Sequence, residues 1–448
     1  MPSSRIAMNA IEKQVTRGPG GRILTNTGVW SPDGMWIVYD TRPDASGEVF
    51  EGERIEMVNV GTGEVKVLYQ ARNGAHAGVA TFHPIEPKVV FILGPENPTP
   101  DWTYGMSRRR GVIVDVNRPG VAMNLDARDL SPPFTPGALR GGSHVHVWDA
   151  AGEWVSFTYE DQILSRYAVE TPDQEVNLRN VGVCAPGRAV RVSRLHPRNH
   201  DGAYFTVLVT RTVANPKPGS DDIKKAFEEG WVGTNGYTRP DGSVQRRALA
   251  FQGHVVTADG QTISEVFLAD LPEDLTAPGD GPLAGTETRR PFPPKGVTQR
   301  RLTHTAGRKH PGVQGTRHWL RASPDGSRIA FLMKDDEGVV QLWTVSPNGG
   351  SPTQVTRNPW PVASSFTWSP DGRWIAHAMD RSVCVTEVRS GRTERLTEAT
   401  TPDRAPRPEA CVFSPDGSSI AYVRRIPSPV EPANQVFIVR LGNGVASK

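Results

Sequence analysis

The sequence predicts an all-β fold, a seven-bladed β-propeller with four-stranded blades, on three observations. A hairpin motif built around S-P-D-G or a relative of it recurs seven times, most recurrences are followed by two further short apolar runs, and the two ends of the chain carry complementary parts of one blade. The motif reads GVWSPDGMWIVYD from Gly28, ATFHPIEPKVVFIL from Ala80, HVWDAAGEWVSFTY from His146, SRLHPRNHDGAYFTVLV from Ser193, LRASPDGSRIAFLM from Leu320, FTWSPDGRWIAHAM from Phe366 and CVFSPDGSSIAYV from Cys411. Proline presets φ for a tight turn and glycine accepts a positive φ, so each recurrence is read as two strands joined by a turn. Third and fourth strands follow, as in VVQLWTVS then TQVT and VCVTEV then TERLT. Four strands in a unit of about 45 residues is the spacing of propeller blades.

Taken in order, the blades are placed near residues 25–70, 77–125, 143–184, 189–303, 317–357, 363–397 and 409–440, in one domain spanning 1–448. The last unit stops one strand short, and residues 12–16, EKQVT, resemble the fourth strands TQVT and ERLT. That N-terminal strand is therefore expected to complete the seventh blade and remove an open sheet edge. Within the fourth unit, SDDIKKAFEEGW carries an N-cap serine, Ser220, and first-turn acids, which predicts a short helical insertion.

Composition narrows the class of function. Lys+Arg number 51 against 48 Asp+Glu, a net charge of +3, which argues against nucleic acid as an electrostatic partner. Three widely spaced cysteines, Cys184, Cys384 and Cys411, suggest buried thiols rather than a disulfide framework or a metal cluster. With no signal-like apolar core near the N-terminus and no run of about 18 apolar residues, neither a membrane span nor export is predicted, and the expected location is cytoplasmic. No G-x-S-x-G elbow, P-loop or C-x-x-C is present.

Aligning the seven motifs gives two columns. The residue before the serine position is Trp30, Phe82, Trp148, Leu195, Ala322, Trp368 and Phe413, an apolar set expected to pack between blades. Four residues earlier stand Asn26, Gly78, His144, Arg191, His318, Ser364 and Glu409, a polar set expected to ring one mouth of the central channel. His146 lies two positions beyond His144, and strict alternation puts both imidazoles on one face within reach of one ion. With His318 and Glu409 in the same ring, the predicted ligands of a divalent metal (Mn, Zn or Fe) are His144, His146, His318 and Glu409. Long connections, residues 94–109, 126–142 and 211–246, are expected over this mouth, and LPEDLTAPGDGPLAGTETRRPFPPKG on the opposite rim. Arg140, Arg108 and Asn26 are candidates to bind substrate, and Arg191 and His76 to act in catalysis; the arginines point to an anionic ligand. One or two of Arg108 to Arg110 must nevertheless face solvent. His83 and His196 replace the turn serine and are expected to cap their turns, and the remaining histidines are read as structural or surface residues.

The repeats resemble those of TolB-like propellers over nearly the whole chain. Within that group, LTNTGVWSPD, FILGPENP, FTPGALRGGSHVHV, PGSDDIKKAFEEGWVG and RIAFLMKDDEGVVQLW resemble the uncharacterised bacterial YidR-type proteins. More distantly, the repeats and the near-axial histidines are similar to oligogalacturonate lyase. That second resemblance implies a metal-dependent lyase acting on a sugar acid or oligosaccharide. A divalent ion held by histidines would acidify the proton α to a carboxylate, and an arginine or histidine would take it before β-elimination. Mapped onto this chain, it implies His144, His146 and His318 on the metal, Glu409 or His76 as fourth ligand, and Arg191 as base or carboxylate clamp. The TolB-like resemblance implies instead a binding module whose channel mouth recognises a protein or peptide partner.

Overall fold

The S-P-D-G turns explain how four of the blades begin. In each the serine hydroxyl bonds the aspartate two residues on and also accepts a backbone amide five residues on, as Trp36 N to Ser31 (2.9 Å) and Trp374 N to Ser369 (2.9 Å). The turn glycines, Gly34 and Gly372 among them, hold φ of 68° and 70°, which a side chain would strain. His83 does the same work in blade two, its Nδ1 accepting the amides of Ile85 and Glu86, and His196 accepts that of Arg198.

The structure, a computed structural model, describes residues 10–25, 27–44, 47–427 and 432–442. It is a seven-bladed β-propeller, each blade a four-stranded antiparallel sheet. The blades begin with the strands Gly21–Ile23, Ala77–Phe82, Gly141–Trp148, Ala226–Trp231, Arg321–Ala322, Thr367–Trp368 and Pro406–Phe413. Among the described residues no helix is long and apolar enough to cross a membrane. All three cysteines are buried.

Blade seven is closed by Ile11–Gln14, paired antiparallel with Ala433–Arg440. Just beyond that strand Thr16 is buried, donating to Gln435 Oε1 (2.8 Å) and accepting from Val436 N (2.9 Å), and Lys13 reaches the Val60 carbonyl of blade one (2.6 Å). Thr16→Val leaves Val436 N without its partner and Gln435 Oε1 with Arg22 alone (3.1 Å), so a loss of about 1–2 kcal/mol is expected in denaturant titration.

The aromatic members of the apolar column, Trp30, Phe82, Trp148, Trp368 and Phe413, are buried, as its composition implies, and Leu195 is not. Two of its tryptophans, and Trp231 at the end of the first strand of blade four, also latch their blades to the preceding ones: Trp30 Nε1 donates to Val412 O (3.0 Å), Trp231 to Val147 O (2.9 Å) and Trp368 to Arg321 O (2.9 Å).

Blade four departs from the sequence reading. Phe205–Leu208, expected in its opening hairpin, is the outer strand of blade three, which extends that blade well past residue 184. The H-P-R-N-H-D-G turn sits in the connection that precedes this strand, and Leu195 there is 81% exposed. The expected helical insertion is absent: Ala226–Trp231 is the first strand of blade four. Ser220 makes a local turn instead of a cap, accepting from Asp222 N (3.1 Å) and donating to Lys217 O (2.7 Å). Burial of Ile223, Ala226 and Phe227 in the blade overrides a local helix preference. The P-D-G of this region turns a small inserted hairpin, Tyr237–Thr238 with Val244–Gln245.

Candidate functional site

Three consecutive blades share a device that aims side chains at the channel mouth. The first strands of blades two, three and four each carry a β-bulge, centred on Val79, Val145 and Glu228, whose φ values are 58°, 59° and 56°. A bulge places two residues opposite one and so breaks the two-residue alternation. Positive φ on a β-branched valine costs about 1–3 kcal/mol, and such strain persists where surrounding structure enforces it.

The bulge separates the histidine pair. His144 and Val145 line the mouth cavity, whereas His146 is turned between blades two and three, its Nε2 on Ser143 Oγ (3.0 Å). Ser143 in turn donates to Asp126 Oδ1 (3.0 Å). Gly111 makes this room, since a Cβ there would stand 2.6 Å from His146 Nε2 and 2.9 Å from Asp126 Oδ1. Gly111→Ala is expected to lower stability by about 1–3 kcal/mol in a thermal melt, because neither buried neighbour has space to withdraw.

His318 is also turned inward. Its Nδ1 meets Thr316 O at 2.8 Å and its Nε2 accepts Leu332 N at 3.1 Å, so both ring nitrogens serve the backbone of blade five. Glu409 does line the mouth, paired with Arg407 at 2.7 Å. Of the four expected metal ligands, His144 and Glu409 thus share the cavity and the other two do not. Among the described residues no group of three or more His, Cys, Asp or Glu side chains is placed to hold a metal ion, so the donor set does not fit the ion it was expected to hold.

The remaining candidates separate similarly. Asn26 lies outside the described residues. Arg191 is exposed on the connection between the third and fourth strands of blade three, because the motif that placed it in the ring is not a blade hairpin. His76 packs edge-on against Tyr104 (5.7 Å between centroids), behind the mouth rather than in its lining. Arg140 is buried and fully engaged, with Asp161 (2.8 Å), Arg289 O (2.6 Å) and Thr286 O. Those carbonyls belong to the segment expected on the opposite rim; around residues 286–290 it instead reaches back to Arg140 and Glu175, adjoining the start of blade three. Arg108 bonds Gln162 Oε1 (3.2 Å) and lies over Trp102 (5.1 Å).

Arg109, between these neighbours, is the arginine that enters the site. The mouth cavity, about 450 Å³, is walled by blades one, two, three, five, six and seven. The Arg109 guanidinium lies over Tyr104 (4.9 Å) and Phe50 (5.5 Å), whose rings stack at 5.0 Å. Gly78 and Gly94 make space for that pair, since a Cβ would come within 2.6 Å of Phe50 and 2.7 Å of Tyr104. Buried Arg128 fixes the backbone from behind by donating to the carbonyls of Arg108 (3.0 Å) and Arg109.

Glu48 also lines the mouth, and one of the arginines there differs from the others in its pairing. Arg42 pairs with Asp40 (2.6 Å), Arg179 with Glu160 (2.8 Å) and Arg317 with Glu228 (2.9 Å). Among the described residues no carboxylate pairs with Arg109, whose polar neighbour is Tyr104, and its Nε is buried without a hydrogen-bond partner. His144 Nδ1 and Trp319 Nε1 are likewise buried and unpartnered, and both residues line the cavity. Burial first, then Arg109, Arg179 and Arg317, hold the His144 imidazole well below its ordinary range, so it is neutral at pH 7.

The region from residue 76 to 200, which holds Arg109 and His144, matches the profile of a protein family of unknown function, DUF3748. Over 415 residues the chain is 48% identical to the uncharacterized protein YidR of Escherichia coli strain K12, covering 92% of this chain and 94% of that one. The chain belongs to the YidR family. Among solved structures, oligogalacturonate lyase in complex with manganese superposes on this family member with a TM-score of 0.56 at 10% identity, covering 97% of this chain and 94% of that one. The oligogalacturonate lyase of Vibrio parahaemolyticus gives 0.53, again at 10% identity, with the same coverage of both chains. These likenesses establish the propeller fold for the family.

Sequence reasoning missed Arg179, Arg317 and Trp319 and took the wrong member of the 108–110 cluster. The signal for two of them was alternation itself. With His318 facing into its blade, Arg317 and Trp319 on either side face the channel, one register from the assumed face.

Proposed function

We propose that the channel mouth binds an anionic carbohydrate of the sugar-acid class and that His144 takes a proton from it in a β-elimination. The observation that carries this reading is Arg109, a largely buried guanidinium without a carboxylate partner, facing a cavity large enough for one or two sugar rings. A ligand carboxylate supplies the missing partner, and an Arg fork holds it in a fixed plane. The likeness to oligogalacturonate lyases supports the choice of sugar acid among anions.

Pairing with Arg109 withdraws charge from the carboxylate and makes the proton on the adjacent carbon more acidic. The same ligand offsets the arginine field on His144 and raises the proton affinity of its free Nδ1. The imidazole then takes the α proton, that C–H pair becomes the Cα=Cβ bond, and the Cβ–O bond breaks. The departing oxygen leaves as an alkoxide that takes its proton from the imidazolium or solvent. Trp319 Nε1 is a spare donor for a sugar hydroxyl on the opposite wall.

Galacturonate oligomers provide the test, with calorimetry for binding and ultraviolet absorbance for the unsaturated product. His144→Gln is expected to retain binding within a few-fold and to lose turnover by at least about 100-fold, the scale of a missing general base. Turnover surviving that substitution removes His144 from the mechanism. Absence of galacturonate binding by the unsubstituted protein removes the reading altogether.

A further inference from the structure

The far end of the channel holds a second cavity, about 400 Å³, built quite differently from the first. Its wall is the aromatic column, Trp30, Phe82, Trp148, Trp231, Trp368 and Phe413, together with the turn prolines. Into this apolar wall the first strand of blade five sets one arginine, Arg321. Its Nη1 bonds the carbonyl of Leu320 (3.2 Å), whereas Nε and Nη2 are buried and unpartnered. Among the described residues no carboxylate lies within ion-pair distance of it: Glu229 acts on its charge from farther away, and Asp149 in the same wall is committed to Arg247 (3.1 Å) and to turn amides. A second donor is also spare. The indoles of Trp30, Trp231 and Trp368 bond neighbouring blades, but Trp148 Nε1 is buried without a partner.

We infer that this cavity is a binding site for a small monocarboxylate with an apolar body, its carboxylate on Arg321 and its hydrocarbon or aromatic part against the tryptophan ring. Charge complementarity selects the head group, since a buried guanidinium with free donors is the group an unpaired carboxylate satisfies. The aromatic and proline wall selects the body: it offers apolar area, and the hydroxyls of Thr81, Ser323, Thr367, Ser369 and Ser414 that also line it already donate within the protein. Burial lowers the guanidinium to about 9, which keeps it cationic at neutral pH. The two ends of the channel therefore differ in ligand class: a polyhydroxylated anion at the His144 mouth and an amphipathic one at the Arg321 mouth.

The test is intrinsic tryptophan fluorescence of the full-length protein titrated with phenylacetate, cyclohexylacetate and phenylacetamide. The two acids are expected to give saturable changes, and the amide to bind more weakly by about tenfold or more, the scale of one charged hydrogen-bonded contact. Arg321→Met is expected to abolish the preference for acid over amide while leaving galacturonate calorimetry at the other mouth unchanged. Equal binding of acid and amide, or no saturable change with either acid, overturns the inference. The acid and amide comparison uses the unsubstituted protein, so it decides the matter even where Arg321→Met fails to fold.

Discussion

Arg109→Met is expected to weaken galacturonate binding by about 100-fold or more and, at the same time, to raise the melting temperature of the ligand-free protein. The two effects have one cause. A cation held in a largely buried position with an unsatisfied Nε and no carboxylate costs folding free energy, and methionine of similar length fills the space over Phe50 and Tyr104 without that cost. In the complex the same charge is the ligand's partner, and losing a desolvated charge pair costs about 2–5 kcal/mol. Stability gained where binding is lost is the expected signature of a functional site. Calorimetry and thermal melts on one preparation check both signs. A variant that binds normally, or one that loses binding and stability together, contradicts the role given to Arg109.

The second large effect is acid lability. Burial depresses His146 to about 3 and His318 and His377 to about 4, all three being neutral inside the blades. A histidine whose folded value lies below its unfolded value near 6.5 stabilises the fold fully above that pH and progressively less below it, because the unfolded chain takes up protons that the folded one refuses. Burial raises Glu229 to about 7, which has the opposite sign: the folded state holds a proton between pH 7 and the unfolded value near 4.5. His144, His200 and His254 are depressed as well, and the depressed histidines outnumber the raised carboxylates Asp40, Asp126, Glu228 and Glu229, so stability falls from roughly pH 6.5 down to 4.5, by about 1.4 kcal/mol per pH unit for each net proton taken up. Melts at half-unit steps are expected to be flat above pH 7 and to collapse steeply below 6. His377→Gln, whose amide reaches the position of Nε2 beside Thr386 (2.8 Å), is expected to reduce that slope by about 1.4 kcal/mol per pH unit, the share of one proton.

The architecture was legible because the propeller repeats its turn chemistry. Ser31, Ser323, Ser369 and Ser414 each announce a hairpin, and residues 12–16 match a fourth strand that the last unit lacks. Blade four escaped because its first strand lacks S-P-D-G, while Pro197 to Gly202 imitate the motif in a connection. Two errors there cancelled, leaving the count of blades right and Arg191 misplaced. The site was legible to the level of the strand and not of the face. His144 was found, but alternation assumed no bulge, and nothing in H-V-H tells a valine to adopt positive φ; tertiary packing imposes it. The triple arginine was noticed, yet which member turns to the channel depends on Arg128, outside the cluster, gripping the carbonyls of Arg108 and Arg109.

The pairing of Ile11–Gln14 with the final blade also sets when the mouth exists. Thr16 and Gln435 are 419 residues apart, so the contacts that close the ring carry very high sequence separation and form late in folding. Leu24 and Thr25 on one side and Pro408 and Glu409 on the other are mouth walls that meet only across that seam. With the proposed ligand, affinity at the mouth is therefore expected to report completed ring closure. A chain with blades formed but the seam open would hold most of its native strands and bind nothing, so tight binding separates finished molecules from nearly finished ones where circular dichroism does not.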